Sequence, residues 1–154
     1  MLMTNPIFRD ATQNDIATIL DICRSGAASP DRYPPLDLTD PAYLSTFNLI
    51  DADPNHRLIV AEQNGEIIGT LQISFIPGLP DQGRFRGMLE NIHVRTDQRG
   101  NGIGKKMVSW AVEECRKKNC WLVQLTSNKA RTEAHRFYGA LGFEATHEGF
   151  KLVF

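Results

Sequence analysis

Three glycines in five residues, Gly100, Gly102 and Gly104, interrupt the run Arg95-Thr-Asp-Gln-Arg-Gly-Asn-Gly-Ile-Gly-Lys-Lys106, and no other stretch restricts the fold as much. Upstream, Met88-Leu89-Glu90-Asn91-Ile92-His93-Val94 reads as a strand with Met88, Glu90, Ile92 and Val94 on one face. Downstream, Ile103, Met107, Trp110, Ala111 and Cys115 recur at helical spacing, opposite Lys105, Lys106, Ser109, Glu113, Arg116 and Lys117. The unit is therefore strand, glycine loop, helix. The first amides of such a helix lack intrahelical acceptors and carry the positive end of its dipole. A loop without Cβ atoms lets an anion approach them, so the stretch reads as a phosphate or pyrophosphate cradle.

Spacing decides which cradle. A P-loop counted back from Gly104-Lys105 meets Arg99 where glycine is required and Lys106 where Ser or Thr is required. A dinucleotide fingerprint begun at Gly100 or Gly102 meets Lys105 or Met107 in place of its third glycine. What remains is Arg99-x-x-Gly102-x-Gly104. This resembles the pyrophosphate-binding motif of the GNAT superfamily of N-acetyltransferases, Gln/Arg-x-x-Gly-x-Gly/Ala. The rival reading is a helix entry that uses glycines only to turn.

Length and composition set the frame. A chain of 154 residues is read as one domain over 1–154, and 42% hydrophobic with 23% charged residues is globular. A net charge of −1 with no long basic run disfavours nucleic-acid binding. Met1–Asn5 has no signal-peptide pattern and no apolar run has membrane-spanning length, so neither secretion nor membrane insertion is expected. Cys23, Cys115 and Cys120 are odd in number without metal or redox spacing, with Cys115 assigned to the core; a reducing cytoplasm is expected. His56, His93, His135 and His147 form no zinc signature, so no metal is expected.

In order, Ile7–Arg9 reads as a strand and Thr12-x-x-Asp15 as a capping box before the stripe Ile16, Ile19, Leu20, Cys23, which Gly26 ends. Ser29–Pro41, with four prolines and Asp31, Asp37 and Asp40, is either a solvated connector or a wall that attracts a cationic amine. A second helix begins at Pro41 and ends near Asp53-Pro54. Leu58–Glu62, Asn64-Gly65 and Ile67–Phe75 make a hairpin, and Pro77–Gly87 reads as a loop. After the helix at 102–118, Trp121–Thr126 is a fifth strand. Ser127-Asn128 can cap a helix over Ala130–Leu141, which Gly142 closes. Phe143–Thr146 and Phe150–Phe154 read as a last hairpin around Glu148-Gly149. The predicted order β-α-α-β-β-β-α-β-α-β-β implies an α/β (α+β) class. The expected core is a mixed, largely antiparallel central sheet of about 6–7 strands flanked by about 4 helices.

That order is similar to the GNAT fold along essentially the whole chain. Ala134-His-Arg-Phe137-Tyr138-Gly-Ala-Leu-Gly142-Phe143 looks like the superfamily's fourth-helix segment, A-x-x-F-Y-x-x-x-G-F. The chain is thus identified as resembling a small, single-domain bacterial GNAT acetyltransferase. The resemblance implies that the amides of Arg99, Gly100, Asn101, Gly102, Ile103, Gly104 and Lys105 hold the pyrophosphate of acetyl-CoA. It implies that the strand at Ile92, His93 and Val94 pairs with the pantetheine arm. It further implies that Asn128 bonds the cofactor and that Tyr138 protonates the departing thiolate.

Acetyl transfer to an amine needs a base, a polarised thioester carbonyl, for which a backbone N–H near Val94 would serve, and an acid near the sulfur. A phenol of pKa ~10 donates to a thiolate of pKa ~8.5 only when positioned. Periodicity alone makes Tyr138 a packed aromatic; its place in the second motif makes it the acid. Glu90 is either the general base, through water, or a structural partner, and strict alternation puts His93 on the opposite face. His135 and His147 read as solvated or structural, and Asn128 could instead only cap its helix.

The expected function is transfer of acetyl from acetyl-CoA to a primary amine of a small molecule or peptide by direct attack in a ternary complex, no cysteine accompanying the motifs as acyl carrier. The alternatives are a non-catalytic acyl-CoA-binding module, which would lack the acid, and a nucleotide-phosphate enzyme, which the failed P-loop count disfavours. Arg84 and Arg86 suit an acceptor with a carboxylate, whereas Asp31, Asp37 and Asp40 suit a polycation. The resemblance also allows a homodimer.

Overall fold

The computed structural model describes residues 4–27 and 35–154. Asp31, in the acidic connector, lies outside the described residues. Five strands form one mixed sheet in the order β1-β2-β3-β4-β5: β1 (Ile7–Asp10), β2 (His56–Gln63), β3 (Glu66–Pro77), β4 (Phe85–Val94) and β5 (Cys120–Leu125). The first four are antiparallel neighbours, and β5 runs parallel to β4. Asn64 (φ 54°) and Gly65 (φ 79°) make the tight β2–β3 turn that an Asn-Gly pair favours.

Four helices cover the sheet: α1 (Ile16–Ser25), α2 (Pro41–Ala52), α3 (Ile103–Lys117) and α4 (Thr132–Ala140). One face of the sheet carries Ile59, Ala61, Leu71, Ile73, Phe75 and Leu89 against Ile103, Met107, Val108, Ala111 and Cys115 of α3. The other carries Val60 against Ile19 of α1 and Phe47 of α2. Alternation along β2 therefore feeds two apolar layers, and each fully buried aliphatic chain contributes roughly 1.5–3 kcal/mol. Cys115 is fully buried, as expected, and burial pushes its thiol up to about 12.

The helix ends follow the local chemistry. Thr12 donates its backbone N–H to Asp15 at 2.7 Å, closing the box that precedes α1. Asp40 caps α2 by accepting from the Ala42 N–H at 2.9 Å. At the end of α4 the Phe143 N–H bonds the Tyr138 carbonyl at 3.1 Å and the Gly142 N–H bonds the Gly139 carbonyl at 3.0 Å. Gly142 itself sits at φ 90°. That is a Schellman ending, and it needs a residue without Cβ at C′.

Three expectations change. The loop expected at Pro77–Gly87 is shorter, because Phe85, Arg86 and Gly87 already pair with Pro77, Ile76 and Phe75. The cap expected at Ser127-Asn128 does not form. Asn128 Oδ1 accepts from the Ala130 N–H at 2.9 Å, and Arg131 holds the cap position without a side-chain bond. The last hairpin is absent: residues 143–154 contain no strand, so the sheet has five strands and not 6–7. Phe143 explains part of this. Its backbone N–H is held by the Tyr138 carbonyl at 3.1 Å, and the Thr146 N–H bonds the Glu144 carbonyl at 3.1 Å, so neither amide is free for a ladder.

Candidate active site

The site begins with one extra residue in β4. Thr70 of β3 lies opposite His93, and Gln72 opposite Glu90, so Leu71 faces two residues, Asn91 and Ile92. Asn91 takes φ 50°, a conformation asparagine tolerates better than most residues. This is a β-bulge, and it shifts the alternation by one. Leu89, Ile92 and Val94 pack on the α3 side together. Cross-strand partners share a face, and Thr70 and Gln72 are two apart, so Glu90 and His93 lie on the same face. The face read from strict alternation, with Glu90 beside Ile92 and Val94 and His93 opposite, is corrected by the bulge.

The bulge also marks where β5 leaves. The β4–β5 ladder ends at Leu89 with Leu125, and β4 continues through Glu90–Val94 with no strand on that side. Bulges bend and overtwist a strand, which accounts for the parting. The result is a notch with backbone donors and acceptors on one wall.

The glycine loop closes one end of this notch. A short turn at Thr96–Gln98 brings Arg99 back, and its Nε donates to the Val94 carbonyl at 3.2 Å. Gly100 (φ 80°) and Gly102 (φ 74°) then adopt left-handed conformations, and a Cβ on either would meet nothing. The α3 amides of Ile103, Gly104 and Lys105 have no acceptor among the described residues; the first capping bond runs from the Lys106 N–H to the Gly102 carbonyl at 3.1 Å. Gly104 is placed differently. A Cβ there would lie 3.4 Å from Phe137 Cζ and 3.7 Å from Val94 Cγ2, ordinary contact distances, so β4, α3 and α4 meet at this point with room for a methyl group.

Tyr138 follows Phe137 on α4. Its ring packs edge-on against Phe137 at 5.1 Å and Phe143 at 6.0 Å. Burial raises its phenol above the ordinary 10.0, with Arg131 pulling the other way. His93 is half-buried, and a Cβ on Gly26 at the end of α1 would collide with its Nδ1 and lie 3.3 Å from Arg99 Nη2. Burial lowers the His93 pKa below 6.5, and Arg131 and Arg99 lower it further. The imidazole is neutral at pH 7. Glu90 is exposed, and no ion pair or hydrogen bond among the described residues engages it.

The structure thus brings together Val94, Arg99, the open glycines, the α3 amides and the Phe137-Tyr138 pair. It does not join Glu90 to Tyr138. Sequence reasoning missed Gly26, Arg131 and Ser127. Ser127 Oγ, at the end of β5, is buried without a partner. Such an atom, like the unfilled amides of α3, fits a polar ligand between β4 and β5. An asparagine inside a strand, at Asn91, was the one available sign of the bulge. Asp37 and Asp40 are engaged in local turns, Asp37 with Thr39 and Asp40 with Ala42. A cavity of about 270 Å³ among Asp10, Phe47, Asp53, His56 and Arg57 involves none of the expected site residues. Among the described residues no group of His, Cys, Asp and Glu could hold a metal, and no helix is long and apolar enough to cross a membrane.

Comparison with known proteins bears on the family and the fold. An aminoalkylphosphonate N-acetyltransferase of Salmonella typhimurium is 33% identical over 100 residues, which is 65% of this chain and 63% of that protein. The match therefore spans less than two thirds of that relative. A solved structure described as a transcriptional regulator from Bacillus halodurans is 37% identical, with TM-score 0.91 over 97% of this chain and 99% of its own. A predicted acetyltransferase from Clostridium acetobutylicum, solved with acetyl-CoA, is 26% identical, with TM-score 0.72 over 96% of each chain. The model of the acetyltransferase (GNAT) family matches residues 20–143. With a match over most of its length and the fold to go with it, the chain belongs to the GNAT family of acetyltransferases.

Proposed function

We propose that this chain transfers acetyl from acetyl-CoA to a primary amine of a small molecule or peptide, by direct attack within a ternary complex. One observation carries the reading. The edge of β4 left without β5, from Glu90 to Val94, is followed after one short turn by an open helix N-terminus behind two left-handed glycines. A long ligand with an anionic end fits that arrangement better than a compact one does. Bound acetyl-CoA would supply an activated thioester: the amine nitrogen bonds the acetyl carbon, the C–S bond breaks, and a proton passes to the sulfur.

The chain's own residues divide the work. The loop Arg99-Gly100-Asn101-Gly102 and the amides of Ile103, Gly104 and Lys105 would hold the pyrophosphate. Backbone groups of Ile92, His93 and Val94 would hold the arm, with a backbone N–H near Val94 on the carbonyl. Asn128 would reach the cofactor with the amide group its turn leaves over. Tyr138, a phenol and so protonated at neutral pH, would give its proton to the thiolate; burial raises its pKa further, so placement and not acidity would have to drive the transfer. Glu90, exposed on the bulged face, would take the ammonium proton through water. The cytoplasm is the proposed setting, in keeping with the free thiols of Cys23, Cys115 and Cys120.

The Bacillus halodurans relative gives a second reading some support: an acyl-CoA-binding regulator that does not turn over. Calorimetric titration with acetyl-CoA, with ATP and NAD as controls, tests what the two readings share. An amine screen followed by free thiol release then separates them. It would start from aminoalkylphosphonates, because the Salmonella relative is named for them. Polyamines, amino acids, aminoglycosides and peptide N-termini would follow. Binding with thiol release from one amine class supports the enzyme; binding with none leaves the regulator; no binding removes both.

A further inference from the structure

The connection from β5 to α4 carries a hydroxyl that the fold does not use. Ser127 is half-buried, yet its Oγ is shut off from solvent and no described residue hydrogen-bonds it. A buried serine normally turns its hydroxyl to a nearby carbonyl or amide. Leaving one orphaned costs free energy, and a bound group with a suitable acceptor would relieve that cost. The neighbours hold the residue in place. Leu125, two residues back, is the last rung of β5 against Leu89. The Asn128 carbonyl, one residue on, accepts from His135 Nε2 at 2.9 Å and from the Arg131 N–H at 3.0 Å.

Position narrows what this hydroxyl would meet. β4 and β5 run parallel, so two residues past the last rung Ser127 is level with Asn91, at the bulge where the strands part. That is the opposite end of the notch from the glycine loop, which follows Val94. Leu125 and Tyr138 pack against one apolar cluster, which ties both hydroxyls to the same part of the core. On the acetyl-transfer reading, the α3 amides and the glycine loop serve the pyrophosphate, and the edge of β4 serves the arm and the thioester carbonyl. The departing sulfur has Tyr138 alone, and burial makes that phenol a weaker acid.

We propose that Ser127 is a second donor to the cofactor sulfur, its Oγ–H bonding the thiolate as it leaves; this rests on the acetyl-transfer reading. As the amine nitrogen bonds the acetyl carbon and the C–S bond breaks, the electron pair goes to sulfur. Ser127 keeps its proton and shares it in a hydrogen bond, while the Tyr138 proton ends on the sulfur. A thioester sulfur is a poor acceptor and a thiolate a strong one, so the bond acts mainly in the transition state.

Ser127→Ala, compared with the parent, tests this. The Tm of the ligand-free variant should be unchanged or higher, because no bond is lost. Its calorimetric Kd for acetyl-CoA should stay within about twofold, while kcat, with whichever amine the screen identifies, falls about ten- to a hundredfold. The thiol of bound CoA, followed by thiolate ultraviolet absorbance against pH, should titrate about one unit or more higher in the variant. A lower Tm would overturn the proposal, since the hydroxyl would then support the fold. So would an unchanged kcat or an unmoved thiol titration. Weaker acetyl-CoA binding with that titration unmoved would overturn it by assigning Ser127 to the arm. A parent that binds no acetyl-CoA fails differently: it removes the acetyl-transfer reading itself, and this proposal with it.

Discussion

The first half of β4, Phe85–Leu89, pairs with β3 on one side and β5 on the other. The second half, Glu90–Val94, pairs with β3 alone. Packing follows the same division. Gly87 is pressed against Cys115 of α3 so closely that a Cβ would collide with its Sγ, whereas Glu90 and Asn91 are exposed. One strand thus has a structural half and an open half, separated by the single extra residue at the bulge. The comparison teaches that a cleft in a sheet needs no separate domain or lid. An added residue that parts two strands is enough, because it leaves backbone groups without partners.

Removing the bulge should have the largest effect. Deletion of Asn91 would leave Leu71 opposite Ile92 and Thr70 opposite His93, with each neighbouring side chain on its present face, so it should straighten β4, close the parting from β5 and abolish acetyl-CoA binding. Calorimetric titration measures this; binding at full strength would mean the notch is set elsewhere. Tyr138→Phe comes next. It should lower kcat by about 10²–10⁴-fold with acetyl-CoA affinity unchanged, as for a proton donor acting in the transition state. An unaltered kcat would make Tyr138 packing only.

Two glycine variants set the halves against each other. Gly87→Val should cost ~1–3 kcal/mol by overpacking against Cys115, lowering Tm by a few degrees. Gly102→Val should cost about 1–2 kcal/mol for its left-handed φ and lose acetyl-CoA affinity by calorimetry. A variant at Gly102 that binds at full strength would mean the loop is only a helix entry.

His93→Gln should give a smaller change, confined to acid pH. Burial, Arg131 and Arg99 hold the His93 pKa below 6.5 in the fold, so the unfolded chain binds more protons as pH falls. Stability from this residue is therefore intact above about pH 6.5 and declines below it. The variant should flatten the fall of Tm with acid, and an identical slope would exclude His93 as a source. Smallest in stability is Glu90→Gln, within about 0.5 kcal/mol for an exposed site. Its effect should instead be loss of the acidic limb of the pH–rate profile, and a retained limb would clear Glu90 as base.

Much of the fold was legible from local pattern. Asn64-Gly65, the box at Thr12 and Asp15, and the stripe of α3 each state a conformation within a few residues. The glycine loop was legible for the same reason, since Gly100 and Gly102 supply φ angles that neighbours do not set. The same signal misled at Glu148-Gly149, where a hairpin was expected and none forms. The two hairpins differ in their flanks: Ile59, Val60, Leu71 and Ile73 find a core on both faces, while Phe150–Phe154 find none within their own chain. Gly26 shows another limit. It looks like a helix stop, yet its φ of −92° is ordinary; what it provides is room for His93.

What the sequence determined by itself is therefore the elements from β1 to α4, their order, and the loop that gives the family away, because these rest on propensities and backbone angles acting over a few residues. The tertiary structure alone decided which face Glu90 and His93 share, where β5 parts from β4, and that Arg131 acts on both Tyr138 and His93. The reason is physical. Register and charge depend on groups far apart in the chain, and one residue of slip in a strand reverses every side chain that follows.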